Sequence, residues 1–395
     1  MSLPDDLFVE IFPRLKDIAG LFRCATVCKA WRDLIVTKPS FLRRCLSEAC
    51  PFPGFFTQQQ RRKAGSPVPC FVPGPRPVPV LDRRRLLSSF VPGMGDVAVP
   101  LVSRHGLLLV RVRRLLIVCD PLRGTFKPLP HLDHHWGTHE CFTGYAMLTA
   151  AAASDCSSSS SCMKVMILVV KTQYPMHYYD LYTYSSSSSS SDGDGESGWK
   201  SCSGSAWDMV RLLQHSAAVC QGAPYWFSRG ASGSYVTSVS TKTGDIYTRK
   251  VVNPRLCSLL GDPSYDEPYV SSSSANQEGK LVFLFLRLDG TQLHIHDGTK
   301  SHTIMLLVPP SSHSQHMNNF NIGQGVEYRF LGEKNGMVIL KDNHKRIYVV
   351  AAIKTKTGLM QEITDCPRDH GLSRREIVPM EIDWPAWFLS RLASV

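Results

Sequence analysis

The sequence predicts an α+β protein of two parts, a small helical module at the N-terminus and a much larger all-β domain after it. Three observations lead to this prediction. The first 36 residues carry apolar residues at helical spacing, strand-rich units recur beyond residue 100, and a proline-rich stretch lies between these regions. At 395 residues the chain exceeds the usual size of one domain, so such a division is expected.

The N-terminal segment has the pattern of two amphipathic helices. Leu3, Leu7 and Ile11 repeat every four residues, and apolar residues continue at spacings of three or four between Leu21 and Ile35. A segment of about forty residues with this many apolar side chains is too short to bury them by itself. We therefore expect the apolar surface of these helices to contact a partner.

The same residues resemble an F-box. That family opens with Leu-Pro and an acidic pair, continues through an apolar helix to Arg-Leu, and ends with Val-Cys-Lys-x-Trp-Arg. The matching residues here are Leu3-Pro4-Asp5-Asp6-Leu7, Glu10-Ile11-Phe12, Arg14-Leu15 and Val27-Cys28-Lys29-Ala30-Trp31-Arg32. Pro13 departs from the family pattern, since it should end the first helix early. The alternative is an ordinary helical hairpin.

This resemblance implies a docking role for the module, which we assign to residues 1–48. It implies binding to a Skp-type adaptor, and through it to a cullin–RING ubiquitin ligase, with no catalytic residue in the module. Trp31 is expected to anchor the interface, because tryptophan often dominates binding energy. The predicted adaptor-binding surface consists of Leu3, Pro4, Leu7, Ile11, Leu15, Leu21, Val27, Cys28, Trp31 and Leu34.

Residues 49–95 are predicted to be a proline-rich linker and lead-in segment. Eight prolines fall between Pro51 and Pro79. Proline at this density disfavours a helix and favours an extended, semi-rigid chain. The linker is expected to set the distance between the target-binding domain and the core of the ligase.

Residues 96–395 are predicted to be almost entirely strand and turn. Five units begin at residues 106, 163, 222, 279 and 336, and each runs strand, turn, strand, Gly-containing turn, strand. Repeats of about 40–50 residues with four strands are typical of propeller blades, and serine-rich loops would account for the longer repeat here. The spacing predicts about six blades, with five or seven as alternatives and a β-sandwich as the alternative fold.

The β-rich part also resembles the domain that follows the F-box in many plant F-box proteins. The resemblance rests on Ser103-Arg-His-Gly-Leu-Leu-Leu109 and on the turn Cys119-Asp-Pro-Leu-Arg-Gly124. A propeller or kelch-like domain in this position implies capture of a protein substrate by loops on a rigid scaffold. The chain is thus expected to be a substrate-recognition subunit in the ubiquitin conjugation pathway and not an enzyme. The sequence does not identify the substrate or the residues that bind it.

One alternative function is a propeller-type enzyme or carbohydrate-binding protein with a helical cap. Its best candidate for metal ligands is the segment 134–141, which contains three histidines and a cysteine. Gly137 and Thr138 disfavour the helix that would align His135 with His139. No phosphate-binding loop, nucleophile elbow or His-Glu-x-x-His motif occurs in the sequence. We therefore predict no metal, cofactor or catalytic residue.

A weaker alternative is a basic nucleic-acid-associated factor. The net charge is +11, with small clusters of Lys and Arg at residues 61–63, 83–85 and 111–114. Charge that is dispersed in this way is more typical of solvated surface, so nucleic acid is not our expected partner. Thirteen cysteines without an N-terminal signal segment indicate a cytoplasmic or nuclear protein. No apolar run approaches the roughly twenty residues of a membrane helix.

Overall fold

A computed structural model shows a ring of β-sheets with helices packed on one junction. It describes residues 18–37, 52–59, 68–75, 98–132, 141–149, 163–173, 176–186, 198–206, 211–230, 232–273, 280–297, 300–307, 327–334, 336–344, 346–350, 358–363, 377–382 and 384–392, together with Leu7, Glu10, Ile11, Arg14, Leu15, Leu42 and Leu46. The four helices bounded within these ranges are α1 (Ile18–Val27), α2 (Lys29–Thr37), α3 (Pro254–Gly261) and α4 (Trp384–Leu392).

The strands of the described ranges form six antiparallel sheets. They are β1 (Gly54–Gln59), β2 (Val68–Pro73), β3 (Ala98–Arg104), β4 (Leu107–Val112), β5 (Leu115–Asp120), β6 (Thr125–Pro128), β7 (Cys141–Thr149), β8 (Met163–Gln173), β9 (Met176–Ser185), β10 (Lys200–Ala206), β11 (Arg211–Leu212), β12 (Ala218–Cys220), β13 (Ala223–Gly230), β14 (Gly233–Val239), β15 (Ile246–Lys250), β16 (Tyr269–Ser273), β17 (Lys280–Leu286), β18 (Gln292–His296), β19 (Ser301–Met305), β20 (Tyr328–Lys334), β21 (Met337–Asp342), β22 (Ile347–Val350), β23 (Met360–Ile363) and β24 (Ile377–Pro379).

Each sheet is one blade of a six-bladed propeller. Blades 1 to 5 comprise β3–β6, β7–β10, β11–β15, β16–β19 and β20–β23, and blade 6 has the order β24-β1-β2. The inner strands, which are β3, β7, β16, β20 and β24 together with β11 and β12 of blade 3, contact those of the neighbouring blades and form the inner wall of a closed ring. This arrangement confirms the propeller with six blades and replaces the alternative of a β-sandwich.

The repeat seen in the sequence corresponds to the second strand of each blade. The five units begin at or next to the first residues of β4, β8, β13, β17 and β21. In two blades a two-residue turn of positive φ leads into that strand, with His105 at 47° and Gly106 at 82°, and Gln221 at 49° and Gly222 at 75°. Such turns match the twist of an antiparallel hairpin and favour glycine. The recurring glycines therefore mark the turn from the inner to the second strand.

The proline-rich segment is not simply a linker, which corrects that expectation. Within it, β1 pairs with β2 over its whole length, and β1 also pairs with β24, as in the pairs Phe55–Pro379 and Thr57–Ile377. Pro69 and Pro73 are tolerated because β2 is the outermost strand of its sheet, where a missing N–H breaks no ladder. Blade 6 therefore joins strands from opposite ends of the chain and closes the ring.

The N-terminal helices share a hydrophobic core with this closing blade. The core contains Leu21, Ile35 and Phe388, all nearly inaccessible to solvent, together with apolar residues of blades 1 and 6. Helix α4 joins the two parts, since the rings of Phe22 and Phe388 meet edge to face at 5.5 Å. The guanidinium of Arg32 also donates a hydrogen bond of 3.4 Å to the carbonyl of Leu392. The helical module thus packs directly on the propeller.

We predict that Phe388→Ala lowers the free energy of unfolding by about 3–5 kcal/mol, the usual cost of truncating a buried Phe. The cavity would open between α4 and the N-terminal helices, so both should become more sensitive to protease. Urea unfolding and limited proteolysis measure these effects. Arg391→Ala is the matched control, because Arg391 is exposed on the same helix, where its guanidinium lies over the Trp387 ring, and its truncation opens no buried cavity. Equal stability of the Phe388→Ala and unsubstituted chains would contradict the shared core.

Candidate functional site

The N-terminal helices leave several large apolar side chains exposed to solvent. Among the described residues of this region, the exposed fractions are 43% for Leu7, 45% for Ile11, 65% for Val27 and 39% for Val36. Cys28 is exposed beside them. Exposed apolar side chains that recur within one short region are typical of an interaction surface, whereas isolated ones are ordinary. We call these five residues the helical apolar surface.

The predicted adaptor-binding residues divide into four groups, of which the last, Leu21 and Leu34, is fully buried. Leu3 and Pro4 lie outside the described residues. Leu7, Ile11, Val27 and Cys28 are exposed and belong to the helical apolar surface. Leu15 and Trp31 are partly buried against the core that the helices share with the propeller.

Leu21 and Leu34 lie elsewhere than expected. Both are buried in the shared core, with 2% and 7% of their surface exposed, because α4 and the closing blade cover the inner faces of α1 and α2. Residues of α4 and of the propeller therefore cover the helix faces that carry Leu21 and Leu34, where the sequence had predicted an adaptor. Val36 is an exposed apolar residue that the sequence interpretation missed, although it lies two helical turns beyond Cys28 and could have been found by extending that spacing.

A second cluster of functional groups lies where the inner strands of blades 1, 5 and 6 end. The carboxylate of Glu381, just after β24, is 2.6 Å from Nζ of Lys334 and 3.3 Å from Nε2 of His105. The backbone N–H of Glu381 donates to Oγ of Ser103 at 3.1 Å, and His105 Nδ1 lies 2.5 Å from Oγ1 of Thr149 on the inner strand of blade 2. Four blades therefore meet around one buried carboxylate.

Electrostatics explain how this carboxylate stays ionised away from water. Burial by itself would raise the pKa of Glu381, but the charges of Lys334, His105 and Arg104 outweigh burial and lower the pKa to about 2. The neighbouring Glu333 behaves in the opposite way. Burial raises its pKa, and hydrogen bonds from the Ser271 hydroxyl and the Gly336 N–H offset this only in part. The cluster therefore joins the blades through the ion-paired Glu381 and the hydrogen-bonded Glu333.

Metal binding receives no support from the described residues. Within them, no group of three or more His, Cys, Asp or Glu side chains is arranged to hold a metal ion. His134, His135 and His139 lie outside the described residues, and so does the side chain of Cys141. His294 is engaged by Tyr265 and Thr303, each at 3.0 Å from a ring nitrogen.

We predict that Glu381→Gln destabilises the propeller at neutral pH, because it leaves Lys334 and His105 beside an uncharged group. Because the folded pKa of about 2 lies below the ordinary value of 4.5, ionised Glu381 stabilises the fold above pH 4.5. That stabilisation, about 3 kcal/mol, should be lost as the pH falls from 4.5 to about 2. Unfolding in urea across this range measures it.

The variant should show a shallower loss of stability with acid than the unsubstituted chain. Glu327→Gln is the control, because Glu327 is an exposed carboxylate whose side chain lies 3.8 Å from Arg329. Parallel acid dependence in the Glu381→Gln and unsubstituted chains would contradict the role given to this ion pair.

Comparison with known proteins places the helices in a known class. Residues 1–47 match the family model described as F-box-like. A search of the curated proteins gave no match to the chain. Among solved structures, the N-terminal domain of Nup159 is similar at 7% identity and a TM-score of 0.22, covering 63% of this chain and 74% of that one. A TM-score this low carries no argument about fold or function.

None of the helices in the described ranges is long and apolar enough to cross a membrane. The family match and the sheet order together define the organisation of the molecule. An F-box-like domain at residues 1–47 is followed by a six-bladed propeller whose last blade the N-terminal strands complete.

Proposed function

We propose that the chain is the substrate-recognition subunit of a Skp-adaptor/cullin/F-box ubiquitin ligase. In this proposal the F-box-like domain binds a Skp-type adaptor, which links it to a cullin–RING core, and the propeller binds a target protein. The chain itself contributes no catalytic residue, and it works in the cytoplasm, the nucleus or both. The observation that carries the proposal is the F-box-like match at residues 1–47, since F-box domains generally bind Skp-type adaptors.

The distribution of apolar side chains supports the adaptor half of the proposal. The F-box-like helices bury one face in the chain's own core and leave Leu7, Ile11, Val27 and Val36 exposed. Complete burial of a fully exposed side chain of this kind is worth about 1.5–3 kcal/mol. These four side chains expose 39–65% of their surface, so a partner that covers them would gain a corresponding part of that energy without disrupting the contact between the helices and α4.

The propeller supports the target-binding half. Its six blades share inner-wall contacts, and four of them meet at the Glu381 cluster, so the turns between strands are held on a rigid frame. Loops on such a frame are well suited to bind a partner, because little order has to be created on binding. The direct contact of the F-box-like helices with blades 1 and 6 would then hold a bound target at a fixed position relative to the adaptor.

We predict that Val27→Asp weakens capture of a purified Skp-type adaptor by at least about tenfold, because it places a charge in the centre of an apolar contact. Co-purification and calorimetric titration with the full chain measure this. Val252→Asp is the matched control, since Val252 is a valine that is 75% exposed on the propeller, between β15 and α3. Both variants should unfold at the temperature of the unsubstituted chain. Undiminished adaptor binding by Val27→Asp, or equal loss with Val252→Asp, would contradict the assigned surface.

A further inference from the structure

The outer strand of blade 4 has an open backbone edge. Blade 4 has the order β16-β17-β18-β19, so β19 pairs on one side only within the described residues. The N–H of Leu306 donates to the carbonyl of Thr291 at 2.9 Å, which shows that the even-numbered residues of this segment are bonded toward β18. Alternate residues of an antiparallel strand direct both backbone groups to the other side. The residues of β19 that face outward in this way are Ser301, Thr303 and Met305.

The outer strands of the other blades carry features that discourage a further strand. Proline and charged side chains are common protections of an edge strand. Proline occurs in β2 and β6, lysine occurs in β10 and β15, and glutamate occurs in β23. Strand β19 has the sequence Ser-His-Thr-Ile-Met, with no proline and no Lys, Arg, Asp or Glu. Of the outer strands that the structure describes, β19 is therefore the one best suited to accept another strand.

Three exposed apolar side chains lie at the end of this edge. The exposed fractions are 56% for Met305, 61% for Leu307 and 52% for Leu359. Leu307 and Leu359 are partners in a parallel bridge, and Met305 is two residues before Leu307, so all three side chains share one face. The alternate residues Ile304 and Leu306 are buried in the core between blades 4 and 5. Exposed apolar side chains that are grouped in this way are typical of an interaction site. We call Met305, Leu307 and Leu359 the rim patch.

The chain itself already adds an extended segment to the continuation of this edge. The N–H of Leu307 donates to the carbonyl of Gly358 at 2.7 Å, and the N–H of Met360 donates to the carbonyl of Leu307 at 3.0 Å. Gly358 lies so close to the Met305 carbonyl that any side chain at this position would collide with it. Just beyond β19, the outward backbone groups are thus bonded to a strand of blade 5. Residues 301–305 continue the same line of outward groups.

We propose that β19 binds an extended segment of a target protein as an additional strand of blade 4, an inference that rests on the proposed function. In this mode of recognition the backbone hydrogen bonds supply affinity, and alternate side chains supply specificity. One set of side chains of the added strand would lie on the face of the rim patch, so that set should be apolar. β-Branched and aromatic residues suit the segment best, because they favour strands.

The position of β19 leaves the adaptor-binding helices accessible. The F-box-like helices pack on blades 1 and 6, and blade 4 lies opposite blade 1 in the ring of six. A target segment on β19 and an adaptor on the helices would therefore occupy opposite sides of the propeller.

The extent of the edge favours a short segment over a second copy of this chain. Stable interfaces between folded proteins usually take about 20–30 residues from each side. Strand β19 has five residues, and the rim patch adds two more beyond its end. A single extended segment matches that extent.

The test is fluorescence anisotropy of the full chain with a short labelled peptide in which valine and threonine alternate. A second probe has the same side chains but is N-methylated at two neighbouring central residues, which blocks both edges of the strand that it can form. We expect the first peptide to bind, and we expect the methylated peptide to bind at least about tenfold more weakly, because it lacks the backbone donors. Absence of binding by the first peptide, or equal binding of both, would overturn the inference.

Thr303→Pro should weaken binding of the first peptide by at least about tenfold, because it removes an outward N–H in the middle of the edge. It also removes the hydroxyl that lies 3.0 Å from Nδ1 of His294, so Thr303→Val, which loses only that contact, is the matched control and should bind normally. Thr248→Pro is a second control, since Thr248 is an exposed threonine in the middle of the outer strand β15 of blade 3. Unchanged binding by Thr303→Pro, or equal weakening by either control, would contradict strand addition at β19.

Leu307→Asp tests the rim patch without altering the backbone of β19. It should weaken binding of the peptide while leaving the unfolding temperature unchanged, because Leu307 is largely exposed. If Thr303→Pro lowers the unfolding temperature, Leu307→Asp decides the outcome, with Val252→Asp as its control. Equal binding by Leu307→Asp and Val252→Asp would overturn the inference.

Light scattering and adaptor capture separate the remaining outcomes. A dimer of the unsubstituted chain that Thr303→Pro converts to a monomer would identify β19 as an interface between copies and overturn the target segment. Retained adaptor capture without peptide binding would overturn the inference alone. Peptide binding without any adaptor capture by the unsubstituted chain would support strand addition and overturn the ligase role.

Discussion

Pairing of β24 with β1 closes the ring, and the rest of the structure depends on it. Only three residue pairs join these strands, and they bring together segments more than three hundred positions apart in the sequence. A ladder of three pairs contributes little to the free energy of folding by itself. Contacts of the surrounding residues must therefore stabilise the junction. The Glu381 cluster supplies polar support on one side, and the core shared by α4, β1 and the F-box-like helices supplies apolar support on the other. The same residues thus close the propeller and position the helices.

This coupling changes how the F-box-like domain should be understood. An isolated hairpin with this many apolar residues would need a partner on both faces. Here one face of the hairpin is buried against Phe388 and its neighbours in the same chain. Val27 and Val36 remain exposed to solvent. The helices can therefore be stable before an adaptor arrives, and the orientation of the propeller relative to the adaptor is set by a packed core instead of by a linker.

The sequence predicted the parts that arise from local, repeated patterns. The near-constant spacing of strand units predicted six blades, because each unit begins at the second strand of a blade. The Leu-Pro and Trp-Arg pattern predicted the F-box-like domain. Strands β1 and β2 were missed because prolines lie beside β1 and within β2, and prolines disfavour strands in general. Only the outermost position of β2 in blade 6 makes its prolines tolerable. The cluster of His105, Lys334 and Glu381 could not be predicted, since its members come from distant segments brought together by ring closure.

Amide hydrogen exchange of the full chain, alone and with a Skp-type adaptor, tests the central claim that the helices bind adaptor while remaining packed on the propeller. We expect slower exchange around Leu7, Ile11 and Val27 on adding adaptor, with exchange in helix α4 unchanged. Faster exchange in α4 and β24 on adding adaptor would contradict it, because the helices would then have left the shared core to bind.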